Sequence, residues 1–239
     1  MRATLAALAL VALVVAGCLQ GPGTPPSTVH FKGTDLSGNA IAPFTLTRSD
    51  NTSFTLEQLR GKVVIVLFIW THCPDVCPIT TSLTAQVLQL VGDDYPASVA
   101  VVSISIDPYR DTPEELAAYQ KARSVTWTHL TGSRAQLEPI WADFGLYVDF
   151  PRLNDSQIAA VRAQTTASHG HVGFPQYNQS SGVVNHSADP NDWLNYSVSH
   201  SAATFLLDQQ LQRRVLWSGW QWPPEDVAAD VQKLVLVGP

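Results

Sequence analysis

The chain predicts an α/β domain in which helices cover both faces of a sheet with parallel strands. Three observations carry this. An unbroken apolar run at residues 63–70 and a mostly apolar run at 98–106 are rich in β-branched side chains and have the length of buried strands. Each is followed by a stretch with helical character. The connections are short, so successive strands return by crossovers over a sheet face. At 239 residues and 45% hydrophobic content the chain can bury one well-filled core with decorations. Its net charge is −6, only 14% of residues are charged, and no Lys/Arg cluster occurs, which argues against a nucleic-acid partner.

Taken in order, residues 1–17 carry one basic side chain, Arg2, and an apolar run broken only by Thr4. That is the pattern of an export signal, too short for a comfortable membrane span. The run ends in Val15-Ala16-Gly17-Cys18, which resembles the lipobox of prokaryotic lipoproteins. The resemblance implies cleavage before Cys18 and a lipid on its sulfur. Residues 18–30, with Gly-Pro-Gly-Thr-Pro-Pro-Ser, then form the anchor and linker of a domain at 31–239. An exported domain meets an environment in which free thiols need active reduction.

Residues 44–47 and 52–56 flank a turn and read as an N-terminal β-hairpin. A turn at 59–62 leads into the first buried strand. Residues 79–91 contain no Gly or Pro and place Leu83, Val87, Leu88 and Leu90 at helical spacing, with Pro78 suited to the first turn. After the second buried strand, Thr112 caps a helix, Pro113 fits its first turn and Glu115 completes a capping box. Residues 127–130 form a short strand, and 133–144 a helix stopped by Gly145. Residues 153–197 are poor in aliphatics and rich in Asn, Ser, Gln and His, the composition of a long surface insertion. They hold Asn-x-Ser/Thr sequons at Asn154, Asn178, Asn185 and Asn195, and another stands at Asn51. A strand at 198–207, an antiparallel return at 213–217 and a helix from Pro223 to Leu234 close the chain.

The chemistry lies at Cys73 and Cys77, four residues apart where the first buried strand turns into a helix. On one helical face their Cβ atoms are about 5–6 Å apart. Two thiolates at that spacing can share a metal ion, or close a disulfide after a small adjustment. The helix N-terminus favours the thiolate, which is both ligand and nucleophile. Asp75 raises thiol pKa values yet favours a bound cation. A purely structural pair is the alternative. Three cysteines are too few for a disulfide scaffold.

Thr71-His72-Cys73-Pro74-Asp75-Val76-Cys77-Pro78, Asp107-Pro108-Tyr109-Arg110-Asp111-Thr112-Pro113 and Tyr196-Ser197-Val198-Ser199-His200-Ser201 resemble three signatures of the SCO/SenC family. The first is specific, because its spacer has three residues where that of thioredoxins has two. The resemblance implies a thioredoxin-like fold: a central mixed sheet flanked by helices, with an N-terminal hairpin and a long insertion before the last hairpin. It implies copper, Cu(I) or Cu(II), held by Cys73, Cys77 and the distant His200. It further implies delivery of copper, or of reducing equivalents, to the binuclear copper centre of a haem–copper (cytochrome c) oxidase. The partners it implies are the copper-centre subunit of that oxidase and a thiol reductant. Cys18 would place the domain on the extracytoplasmic face of the cell membrane.

Two sulfurs and an imidazole form a soft donor set suited to copper, while structural zinc usually takes four ligands. Two departures from the family stand out. Ser199 replaces an Asp that could orient the imidazole from behind. The insertion before His200 is also longer than the resemblance leads one to expect, and it carries His169, His171 and His186, which either add metal-capturing capacity or are solvated loop residues. The competing reading is an enzyme, a thiol–disulfide oxidoreductase with Cys73 and Cys77 as its redox-active pair. Against it, Ser199-His200 lacks the proline that thioredoxin-like reductases place opposite their cysteines. Asp107, Arg110 and Asp111 read as a charged loop that locks the next helix start. His72 tunes or packs beside the thiols.

Overall fold

The structure is a computed structural model, and it describes residues 30–152, 154, 156 and 196–238. The export segment, Cys18, most of the insertion with His169, His171 and His186, and Asn178, Asn185 and Asn195 lie outside the described residues. Phe31–Pro239 forms one compact unit.

Its strands are β1 (Thr34–Ala40), β2 (Thr45–Arg48), β3 (Ser53–Thr55), β4 (Val63–Ile69), β5 (Val99–Ser105), β6 (Thr128–Thr131), β7 (Val148–Asp149), β8 (Ser199–His200), β9 (Ala203–Leu207) and β10 (Gln212–Ser218). Among the described residues the longer helices are α1 (Val76–Val91), α2 (Pro113–Arg123), α3 (Arg134–Asp143) and α4 (Pro224–Val237), with short helical turns at Leu56–Leu59 and Asp94–Ala97. Eight strands make one mixed sheet in the order β1-β10-β9-β4-β5-β6-β2-β3, and β7 and β8 form a separate ribbon. β4, β5 and β6 run parallel, and β9 lies antiparallel to β4. All seven residues of β4 are buried, as its unbroken apolar sequence predicts for a strand covered on both faces. Ile65, Leu67 and Ile69 pack with Val87 of α1 and Val231 of α4 on one face. Val64, Val66 and Phe68 pack with Leu137 and Phe144 of the α3 region on the other.

The hairpin expected near the N-terminus forms, with Leu46 opposite Phe54. β1 was not visible in the sequence. Its polar residues, TDLSGNA, pair with β10 along an edge that needs little apolar surface. Its register breaks between Asp35 and Asn39, where Ser37 and Gly38 take positive φ. The segment entering β1 is tied to α4 by Asp230. This fully buried carboxylate accepts the Lys32 and Gly33 N–H groups, both at 2.8 Å.

Three expectations need correction. The strand read at 198–207 is two strands, because Ser201 and Ala202 break the ladder and put His200 in the β7–β8 ribbon. The capping box at Thr112 is half-formed. Its hydroxyl accepts the Glu115 N–H at 3.2 Å, but its own N–H goes to the Arg110 carbonyl; the full box is at Ser133 and Gln136. Finally, α1 turns inward not Leu90, which is half exposed, but Cys77, Thr80, Thr81, Thr84, Val87 and Val91. Thr80 and Thr81 are tolerated inside because their hydroxyls find partners, on the Val76 and Cys77 carbonyls and on the Tyr119 hydroxyl, whereas the buried Thr84 hydroxyl has no hydrogen-bond partner among the described residues.

Candidate functional site

β4 ends at Ile69, and a tight turn carries the chain into α1, with the Cys73 N–H donating to the Trp70 carbonyl at 3.2 Å. Asp75 caps the helix through the Val76 N–H at 2.6 Å, so Cys77 is the second helical residue. The Cys77 N–H therefore points back at the Cys73 sulfur, 3.3 Å away. Both cysteines are free thiols with almost no surface, 3% exposed for Cys73 and 1% for Cys77.

Their chemistry is asymmetric. The hydrogen bond from Cys77, aided by backbone N–H groups, lowers the Cys73 pKa to about 7 against burial and the nearby Asp75. Complete burial pushes the Cys77 thiol well up, and the neighbouring Cys73 adds to it. One sulfur is thus ready as a thiolate at neutral pH and the other stays a proton donor beneath it.

His200 lies opposite Val148 in the ribbon. Its Nδ1 is 3.0 Å from the Ser201 carbonyl oxygen, which can only accept, so Nδ1 carries the proton and Nε2 the lone pair. A backbone carbonyl supplies the orientation that an Asp at position 199 would have given. Burial lowers the pKa of the ring, the Ser201 carbonyl and Asp75 opposing it, so the ring is neutral at pH 7. His200 is near enough for Asp75 to act on it, yet among the described residues no three His, Cys, Asp or Glu side chains are grouped to hold a metal ion. The structure brings the two thiols together and leaves His200 outside a finished three-donor cage.

The 107–111 loop does more than start a helix. Asp107 and Asp111 are buried and Arg110 nearly so. Asp111 accepts the Thr71 N–H at 2.9 Å and the Thr71 hydroxyl at 2.7 Å on one oxygen, and the Ser105 hydroxyl at 2.6 Å on the other. Burial and the charge of Asp107 push its pKa up to about 7 despite these bonds. The Thr71 hydroxyl also meets His72 Nδ1 at 2.9 Å, which gives that histidine a local partner. Arg110 pairs with Asp107 and lies between the rings of Trp70 and Tyr196, while the Tyr196 hydroxyl donates to Asp107 at 2.6 Å. Sequence reasoning missed Trp70, Ser105 and Tyr196 as parts of the site. Of these only Tyr196 lies inside a resembling motif, which was the one available signal; Trp70 and Ser105 stand just before the other two.

A parallel α/β core with a dithiol at the N-terminus of the helix after its central strand defines a thioredoxin-like protein. The SCO1/SenC family matches residues 33–174, and the chain belongs to it. His200 lies beyond the matched stretch. The protein SenC of Rhodobacter capsulatus is 33% identical over 141 residues, covering 57% of this chain and 63% of that one. An SCO2-like protein of Rickettsia prowazekii is 25% identical over 70% of this chain and 63% of its own length. The chain spans only 31% and 36% of two further relatives, the mitochondrial SCO1 homolog 1 of Arabidopsis thaliana and SCO2 of Saccharomyces cerevisiae.

Among solved structures, apo Sco1 of Thermus thermophilus superposes with a TM-score of 0.61 at 25% identity, over 87% of this chain and 99% of that one. A SCO1/SenC lipoprotein of Bacillus anthracis gives 0.60 at 24% identity, over 86% and 99%. Copper-bound ScoI of Bradyrhizobium japonicum gives 0.58 at 24%, over 82% and 99%. These likenesses establish the mixed, helix-flanked thioredoxin-like sheet as the fold.

Proposed function

We propose that this protein is a copper chaperone that carries copper as cargo on Cys73, Cys77 and His200. It passes the ion to the binuclear copper centre of a haem–copper oxidase, meeting there the subunit that holds the centre. Residues 1–17 serve as the export signal, and the lipid on Cys18 keeps the domain on the extracytoplasmic face of the membrane. The observation that carries the reading is the dithiol, with its thiolate-ready Cys73 on a helix N-terminus in a chain of the SCO1/SenC family. The lone pair on His200 Nε2 supports the third ligand. Relatives described as copper-bound and as a lipoprotein support the cargo and the anchor. When bound, copper draws on two soft sulfurs and one nitrogen, a set that satisfies Cu(I) without a fourth donor.

The asymmetry of the thiols favours a second reading, an extracytoplasmic oxidoreductase in which Cys73 attacks a partner disulfide and Cys77 resolves it. Titration of the reduced full chain with Cu(I) against a competing chelator separates the two. We expect one copper per chain, with affinity collapsing in Cys73→Ala, Cys77→Ala and His200→Ala. Unchanged copper affinity in His200→Ala, with dithiol exchange intact, would leave the oxidoreductase.

A further inference from the structure

The two arms that carry the proposed donors are joined by a single guanidinium. Trp70 stands three residues before Cys73 and is tied to it by the Cys73 N–H. Tyr196 stands four residues before His200 on the segment that pairs with residues 148–152, through Arg152 opposite Tyr196, the Ser197 N–H on the Pro151 carbonyl and Val148 opposite His200. The Arg110 guanidinium carbon is 4.6 Å from the Trp70 ring centroid and 4.1 Å from that of Tyr196, so the one cation packs over a ring of each arm. Asp107 completes the joint. It pairs with Arg110 through one oxygen and accepts the Tyr196 hydroxyl at 2.6 Å on the other.

Resting on the three-ligand reading above, we propose that Arg110 is a positioning residue that sets the reach of His200 toward the two thiols. It does so by clamping Trp70 on the cysteine arm and Tyr196 on the histidine arm. The residue type fits the task. A guanidinium has two stacking faces and an in-plane edge for a carboxylate, whereas an ammonium has neither flat face. The architecture needs such a device, because His200 belongs to a two-residue strand outside the main sheet, and no ladder of the large sheet fixes it. Its register comes from the ribbon, which Ser201 and Tyr147 close beside His200 and which Tyr196 ties to the Arg110 joint. Ring contacts of Tyr109 and Phe150 with Tyr196, at 5.9 and 5.7 Å between centroids, brace the histidine arm at the same point. Arg110 touches both arms.

The test is a double-mutant comparison in the reduced full chain, reading Cu(I) affinity by chelator competition and the thiolate-to-Cu(II) absorption band after Cu(II) addition. Arg110→Lys keeps the charge but loses the flat guanidinium. Tyr196→Leu is the second variant, should the first fail to fold. We expect either substitution to weaken copper binding about tenfold or more and to shift the band. In a His200→Ala background the same substitution should change affinity by less than about twofold, since the histidine it positions is gone. Equal losses in both backgrounds, or faster alkylation of Cys73 and Cys77, would mark a merely structural residue and overturn the proposal, as would no loss at all. If His200→Ala alone binds copper like the unaltered chain, the three-ligand reading falls first and takes this one with it.

Discussion

The Cys77 N–H lies 3.3 Å from the Cys73 sulfur, and while both thiols are buried, the Cys73 pKa is lowered and that of Cys77 is pushed up. In the reduced, metal-stripped chain, alkylation of Cys73 should therefore rise with a midpoint at about pH 7, and Cys77 should react far more slowly across that range. Cys77→Ala removes the strongest of the bonds that favour the thiolate but keeps the backbone donor, so the Cys73 midpoint should climb by about one pH unit. Mass-resolved alkylation rates against pH check this. Two thiols titrating together near pH 8–9, as ordinary cysteines do, would contradict the asymmetry.

Gly33 has no room for a side chain. A Cβ there would sit 2.6 Å from Val215 Cγ1 and 2.7 Å from the Trp217 indole nitrogen, both on buried residues of β10. Gly33→Ala should lower stability by about 1–3 kcal/mol through overpacking. Gly61→Ala, where nothing lies within 4 Å but φ is +89°, should cost only about 1 kcal/mol of backbone strain. Urea midpoints of the two variants should fall in that order.

Asp230 is the tie between the start of the domain and its last helix. Asp230→Ala leaves the Lys32 and Gly33 N–H groups without their carboxylate and should cost about 3 kcal/mol. Hydrogen exchange should show the loss first at residues 32–34. Unchanged protection there would mean that β1 is held by its pairing with β10 alone.

His129 sets an acid limit. It is fully buried beside Trp127 and Tyr119, its Nδ1 meets the Trp127 carbonyl at 3.1 Å, and burial lowers its pKa to about 4. The unfolded chain takes up this proton near pH 6.5 and the folded chain only near 4. Its stabilising effect is therefore complete above about pH 6.5 and lost as pH falls through 4, a change of about 3 kcal/mol. His129→Leu removes that proton, and the Trp127 carbonyl keeps its bond from Gln120. The difference in unfolding free energy between variant and parent should shift by about 3 kcal/mol in favour of the variant between pH 7 and pH 4. A pH-independent difference would refute the assignment.

The central strands were legible because burial on both faces writes itself as a run dominated by β-branched apolar residues, unbroken in β4, and the cysteine corner because its residue types and spacing leave few other uses. What escaped was anything set by distant pairing. β1 is too polar to announce a strand and forms because β10 offers it an edge. His200 was placed in a strand entering the core, since Ser201 and Ala202 give no visible stop, yet the ladder breaks there. Asp107, Arg110 and Asp111 read locally as a charged loop that locks the next helix start. They are buried because their partners, Thr71, Trp70 and Tyr196, come from stretches up to 89 residues away, and no local pattern encodes that meeting.

The outer margins of the large sheet bear on how many copies can share one surface. On one side β1 is kinked by its irregular register and the left-handed backbone at Ser37 and Gly38; on the other β3 is three residues long. Neither offers the straight row of unpaired amides on which a neighbouring molecule could zip. Copies crowded side by side can therefore stay separate along the large sheet.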